Sequence, residues 1–346
     1  MKLWQRYFFY ETAKMVAFTT AALYLLFVVI DLSLHSKLLG LVSGDQLLRY
    51  YLAQFSKRAA LLLPFSLLIA GIKVLTTLTI RGETVALLSS GVPMRRLLSP
   101  LLLAATLVIL SLYANEELLY PRATRAIERF EGHYLRHKGG EPGLYQIALA
   151  DGSTLLYAKR EGDRLHDLFW IRGPKEIVHI EELELGGSPI GLNVDYLQRG
   201  AQGALTLAKR APRAPLEGLP LAHGKLPKPL APPDQLPLLT LARQPRGHTD
   251  YGAELATTLH QKLAQPLICL LAILGPAPFC LSFSRQKAVF LIYALSIGLF
   301  LSLATLMDAA AILGTHHTLP PAVAIWSPLA ALFALIGLRT VRLGSL

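Results

Sequence analysis

Six runs of apolar residues stand out along the chain, at about 13–34, 59–80, 97–115, 263–284, 288–312 and 320–338. Each is near the roughly 20 residues that cross about 30 Å of hydrocarbon as a helix, so six transmembrane helices are predicted. Three precede a polar middle and three follow it. Glu11 and Lys14 interrupt the start of the first run and no small-residue cleavage site follows it, so this run is expected to stay as a membrane helix. In the polar middle the period changes. Alternating stretches, "LYQIAL", "TLLYAKR" and "DLFWIR", are separated by Asp151-Gly152, Glu161-Gly162-Asp163 and Gly173-Pro174, a pattern that predicts antiparallel hairpins. Eight prolines between Ala211 and Pro237 cannot donate to a sheet ladder, so that stretch reads as an extended return with short edge strands at most. The predicted fold is a membrane α-helical protein of six transmembrane helices, three plus three, with an inserted all-β domain. Its expected divisions are residues 1–115, 116–258 and 259–346.

Charge settles which kind of basic protein this is. The net charge is +11, which alone would suggest a nucleic-acid partner. Residues 116–258 carry 18 basic against 18 acidic side chains and the rest of the chain 16 against 5, so the excess belongs to the apolar parts. That is the pattern of membrane topology, and nucleic acid is set aside. Lys2, Arg6, Lys14, Arg81, Arg95, Arg96, Arg285, Lys287, Arg339 and Arg342 fall on one side of the six spans. The positive-inside rule makes that side cytoplasmic, with both termini inside and the β domain outside. Lys37, Arg49, Lys57 and Arg58 break the rule by lying on the outer side.

Enzyme chemistry finds little support. Gly218 to Gly224-Lys225 has the wrong spacing for a Walker A loop and Leu226 where Ser or Thr is needed. Ser188 is misplaced for a nucleophile elbow, and no H-E-x-x-H occurs. Cys269 and Cys280 would lie about 16 Å apart along one helix, too far for a disulfide. No cofactor is expected. Ionisable residues within apolar runs are functional candidates, which singles out Lys73, Asp31 and Asp308. Lys73 is expected to face protein or water, and the two aspartates also fit a hydrated interface.

The loop "RGETVALLSSGVPMRR" (81–96) begins with Glu83, continues through Val85, Leu87 and Leu88, and ends at Gly91 with Pro93 two residues beyond. Those are helix start and stop signals, predicting a short helix over 83–91 outside the bilayer. Such a helix either transmits force from a cytoplasmic motor or lies on lipid headgroups.

At this point the residues resemble a known family. The run "FSKRAALLLPFSLLIAGIKVLTTLTIRGETVALLSSGVPMRRLLSPLLL" (55–103) is similar to the helix 2, coupling helix and helix 3 region of the lipopolysaccharide-export permeases, the LptF/LptG family. "NEELLYPRA" (115–123), "LHQKLAQPL" (259–267) and "IWSPLAALFALIGL" (325–338) agree with its exit from helix 3, lead-in to helix 4 and last helix. "GPAPF" (275–279) departs from the family's usual Ala-Ile-Pro-Phe.

The resemblance implies a half-transporter, not an enzyme, in the bacterial inner membrane. It would pair with a second LptF/LptG-type permease, bind cytoplasmic LptB-like ATPase subunits, and accept a single-span LptC-like protein. Lipopolysaccharide would pass over a jellyroll-like periplasmic domain to an LptA-like bridge. Glu83 matches the start of the coupling helix, with Leu87 and Gly91 completing the ATPase contact. Lys57 matches a position where some members carry a substrate-binding lysine; Lys37 and Arg58 are expected to assist it. Anionic phosphate gives these outer cations a purpose, and the alternative is ordinary headgroup attraction. A lipid-modifying envelope enzyme and a non-transporting scaffold remain the competing readings.

Overall fold

The computed structural model describes residues 3–36, 42–135, 145–148, 153–161, 164–173, 176–185, 189–199, 205–216, 219, 232–244, 250–281, 289–316 and 318–344. Lys37 and His317 lie outside them. The chain forms two compact units, Met1–Leu135 with Pro233–Leu346, and Arg136–Pro232.

The first unit is helical. Helix α1 spans Leu3–Leu34, α2 Gly44–Ile80, α3 Glu83–Ser89 and α4 Met94–Ala114. A π-helical turn, Asn115–Leu119, joins α4 to α5, Tyr120–Phe130. The cause is Pro121: it has no amide to give the carbonyl of Glu117 and its ring crowds that group, so the turn widens and Tyr120 N–H donates to Asn115 O instead. After the second unit come α6 (Leu238–Arg243), α7 (Asp250–Ala264), α8 (Ile268–Leu274), α9 (Ala277–Leu281), α10 (Val289–Thr315) and α11 (Pro321–Gly344). Among the described residues, five stretches are long and apolar enough to cross a membrane, and Pro321–Gly337 adds a shorter apolar one. The fourth is broken, because Pro266, Pro276 and Pro278 each remove a helical donor.

Helices outrun the apolar runs. Helix α2 is 37 residues long, about 55 Å at 1.5 Å per residue, because residues 44–58, about four turns of mixed polar and apolar positions, precede its apolar part. The core centres on α2 and α8, where Leu67, Leu75 and Ile273 are fully buried, and Leu97 and Leu101 of α4 pack into the same cluster. Gly71 lets these two helices close up: a Cβ there would stand 2.8 Å from Ile273 Cδ1, the role small residues play between membrane helices. By contrast α1 and α10 expose Phe18, Leu25, Val29, Leu291, Leu295 and Leu299.

The second unit is one six-stranded antiparallel meander, β1 to β6 in order: Tyr145–Ala148, Thr154–Glu161, Arg164–Gly173, Glu176–Glu184, Ile190–Arg199 and Leu205–Pro215. The described strand ends Ala148 and Thr154, Glu161 and Arg164, and Gly173 and Glu176 flank the predicted turn positions, of which Asp151, Gly152, Gly162, Asp163 and Pro174 lie outside the described residues. β6 is the edge strand on which Pro212 and Pro215 are tolerated. Arg210 grips Asp195 with two bonds of 2.6 and 2.7 Å, pinning β6 to β5. Those bonds hold the Asp195 carboxyl below its ordinary range, so the clasp is formed at neutral pH and loosens as pH falls through that lowered value.

A crease crosses this sheet. Ala158, Asp167, Glu181, Asn193 and Pro212 are each skipped in the pairing, at one level on successive strands. Asp167 (φ 53°) and Asn193 (φ 50°) adopt left-handed backbone there. Their side chains join across the crease, His179 Nε2 to Asp167 Oδ1 at 2.8 Å and Asn193 Nδ2 to Glu181 Oε2 at 2.6 Å. In a regular strand, residues three apart face opposite sides. Here Leu165 and Leu168, and Ile180 and Leu183, enter the same buried cluster with Leu155 and Trp170. The sheet therefore folds over a single apolar interior, which is the form the jellyroll-like expectation takes among the described residues.

The β unit is shorter than the expected 116–258. Residues 116–135 and 233–258 belong with the helices, because α5 buries Ala123, Thr124 and Ile127 against a cluster containing Tyr50 and Tyr51 of α2.

The crease can be tested at Asn193. A β-branched residue is strained at positive φ, so Asn193→Val should destabilise the β unit by about 1–3 kcal/mol and Asn193→Gly by less. Proteolysis of the detergent-solubilised protein across a urea series reads this difference. Equal loss in both variants would show that backbone hand at this position is unimportant.

Candidate functional site

The predicted site residues fall on two helices, Lys57 on α2 and Glu83 at the start of α3. Lys57 and Glu83 are 26 residues apart, on the order of 39 Å if helical throughout, so they cannot share one site. The structure separates the outer cations by their partners. Arg49 pairs with Asp45 at 3.0 Å on the same helix, and the Arg58 guanidinium lies 3.9 Å above the Phe27 ring of α1. Lys57 is exposed and, among the described residues, has neither hydrogen bond nor ion pair. Of Arg49, Lys57 and Arg58, Lys57 is the one with its charge uncommitted among the described residues.

Asp31 is half-buried and accepts from Tyr51 Oη at 3.2 Å, with His35 Nδ1 at 3.7 Å, so it fastens α1 to α2. Lys73 lines a small pocket with Tyr7, Glu11 and Arg81 between the same helices.

Helix α3 is a two-turn helix set off by glycines. Gly82 (φ 75°) precedes it and Gly91 (φ 80°) follows. Gly91 N–H donates to Leu88 O at 3.0 Å and Val92 N–H to Leu87 O at 3.1 Å, the paired bonds that close a helix on a left-handed glycine. The helix thus ends at Ser89, with Gly91 in the closing turn. Thr84 is buried and Leu87 packs against the helical core, while Leu88 is 42% exposed and Glu83 stays accessible, 4.0 Å from Arg81. Leu87 therefore holds the helix to the bundle, and Leu88 is the apolar side chain turned outward.

A second cluster was not singled out from the sequence. Lys262 of α7 is buried, its Nζ 3.1 Å from Glu116 Oε2, both side chains 7% exposed. Glu116 Oε2 has no hydrogen-bond donor in line, so that contact is electrostatic. The ammonium donates to Asp234 O at 2.8 Å and Leu236 O at 3.1 Å and lies 4.7 Å from the Tyr120 ring centre. Glu117 Oε2 accepts from Leu239 N–H at 3.1 Å, and Gln235 bonds Glu128. The chain leaving for the β unit is thereby stapled to the chain returning from it. Next to this cluster, Ser56 Oγ donates to Asn115 Oδ1 at 2.7 Å, and Asn115 Nδ2 returns a bond to Ser56 O at 3.1 Å. Tyr113 Oη reaches Leu263 O at 2.7 Å, and Trp326 Nε1 reaches His260 Nδ1 at 3.3 Å.

All four stretches that carry the family resemblance meet here: Ser56 from the first, Asn115, Glu116 and Tyr120 from the second, His260 and Lys262 from the third, Trp326 from the fourth. Residues 6–342, nearly the whole chain, match the family described as lipopolysaccharide export system permease LptF/LptG. The chain belongs to the LptF/LptG permease family. Comparison with curated proteins gives no match. The permease is a multi-pass membrane protein, and its polar cluster joins its two membrane halves to the stalk of the inserted domain. The available signal for that cluster was the recurrence of Glu116 and Lys262 at the inner edges of the third and fourth apolar runs.

Removing one member of a buried ion pair strands the other, at about 3–5 kcal/mol. Lys262→Met should therefore lower the thermal stability of the solubilised permease strongly, and Glu116→Gln added to it should restore part of the loss. A double variant no better than Lys262→Met would mean that the carbonyl bonds, and not the charge pair, dominate.

Proposed function

We propose that this permease is one half of a pair that lifts lipopolysaccharide from the inner membrane and passes it to a periplasmic bridge, driven by ATP hydrolysis on separate cytoplasmic LptB-like subunits. The observation that carries this reading is α3, a short helix closed by left-handed glycines, docked through Thr84 and Leu87 and presenting Glu83 and Leu88. A helix held in this way moves with α2 and α4, which is what coupling to an external motor requires. The basic residues around it, Arg81 and Arg96 among those described, fit a cytoplasmic position with both termini inside and the β unit outside. The apolar faces of α1 and α10 are surfaces for a second permease and a single-span LptC-like helix. At the other end, Lys57, with Arg58 and Lys37, would meet the phosphates of the lipid. No step of ATP chemistry is assigned to this chain.

Copurification from the native membrane tests the drive. The unmodified permease should bring an ATPase subunit with it; Glu83→Ala and Leu88→Glu should each reduce that capture and lipopolysaccharide-stimulated ATP hydrolysis while leaving the β unit resistant to protease. Normal capture and export in both variants would remove α3 from the coupling role.

Lys57 tests the substrate end. A charge-assisted bond to phosphate contributes about 1.5–3 kcal/mol, so Lys57→Ala should weaken lipopolysaccharide binding roughly 10-fold to 150-fold. Lys57→Glu should be worse and Lys57→Arg milder. Equal binding by the three variants would mean that Lys57 meets only ordinary headgroups.

A further inference from the structure

Beside Lys57 the helices enclose a feature that the permease reading does not use. A cavity of about 230 Å³ lies between α2, α7 and α10, walled in part by Ala60, Leu61, Pro64, Gln261, Gln265 and Asp308. Gln261 and Gln265 are half-buried. Among the described residues none of the three polar side chains has a hydrogen-bond or ion-pair partner. Pro64 has no N–H, so the carbonyl of Ala60 lacks the helical donor it would otherwise receive. The cavity thus collects a carboxylate, two amides and a released carbonyl. These are acceptors, with the amide NH₂ groups as the donors. Asp308 is exposed, and as an ionisable residue within an apolar segment it is the kind of group that marks a ligand path.

The chemistry discriminates between ligands. A carboxylate repels phosphate, whereas hydroxyl and amide hydrogens satisfy all four groups. Lys57 stands on the same face of α2, four residues before Leu61, about 6 Å along the axis, with its ammonium unpaired. A cavity whose polar groups are set in a mainly apolar wall with Ile268, Phe300, Ala304 and Met307, one helical turn from a cation, matches a sugar ring, with its apolar faces, hydroxyls and a phosphate. We infer that this cavity is a sugar subsite: Gln261, Gln265 and Asp308 bind the hydroxyl and amide groups of a phosphorylated glycolipid headgroup while Lys57 holds its phosphate. The inference rests on the permease reading above and names which side chains read the carbohydrate. The competing occupant is water, which a polar cavity of this size admits.

The test uses the full-length permease purified with its native partners, titrated with lipopolysaccharide and, separately, with phosphatidic acid, which has the phosphate but no sugar. Gln261→Leu combined with Gln265→Leu should weaken lipopolysaccharide binding roughly 10-fold, the loss of about two hydrogen bonds, and leave phosphatidic acid binding unchanged. Asp308→Asn, which keeps an acceptor, should fall between this variant and the unmodified protein. Lys57→Ala should weaken both lipids. Unchanged lipopolysaccharide affinity in the glutamine variant would show a cavity holding water only, and equal loss for the two lipids would make the glutamines merely structural; either overturns the sugar subsite while leaving the permease reading intact. Failure of the unmodified complex to bind lipopolysaccharide would overturn both.

Discussion

An ammonium group removed from water must be surrounded by oxygen, and at Lys262 that oxygen comes from two separate parts of the chain. The carboxylate of Glu116 belongs to the end of the third membrane helix, and the carbonyls of Asp234 and Leu236 belong to the segment returning from the β unit. The lysine itself begins the second membrane half. Charge burial is tolerable only while all of these are in place, so satisfying one side chain fixes the relative position of both halves and of the stalk. The π turn serves the same end. By widening the helix just before Pro121 it accommodates Asn115 and Glu116 as buried groups in an otherwise apolar surface.

Much of the architecture was readable because the bilayer imposes a length. Runs of about 20 apolar residues gave the spans, and Asp-Gly and Gly-Pro turns gave the hairpins. Helix ends were less readable: residues 44–58 and 116–130 mix polar and apolar positions, and their helical character depends on packing against each other through Tyr50, Ala123 and Ile127. The crease left no sequence mark, since Asp167 and Asn193 sit within ordinary alternation and only the backbone reveals their hand. Lys262 was hidden for a different reason. A basic residue at the edge of an apolar run reads as a flank to a span, and burial becomes evident only when Glu116 is found beside it. At α3 the expected helix was correct in place, but the assignment of faces required three dimensions, which turned Leu87 inward and Leu88 outward.

Helix α2 connects these local arrangements to function. Its N-terminal half carries Lys57 and one wall of the cavity, its middle closes on α8 through Gly71, and its other end leads through Gly82 into α3. A long, mostly buried helix transmits displacement along its axis better than a chain of short ones, because its backbone bonds resist stretching and its packed faces resist bending. The broken helix α7–α8–α9 supplies the contrast. Its prolines allow the segment to follow the shape of the bundle, and the carbonyls they release are groups that α2 keeps satisfied nearly throughout its length.

The staple at Lys262 has an evolutionary corollary. The two strands of chain that lead to and from the inserted domain are held together within the helical unit by Lys262, Glu117 and Gln235, using, among the described residues, none from 136–232. The membrane framework therefore does not depend on the contents of the insert for the spacing of its attachment points. A domain mounted on a self-contained socket can change in sequence or lengthen its loops without altering the contacts that hold its attachment points together.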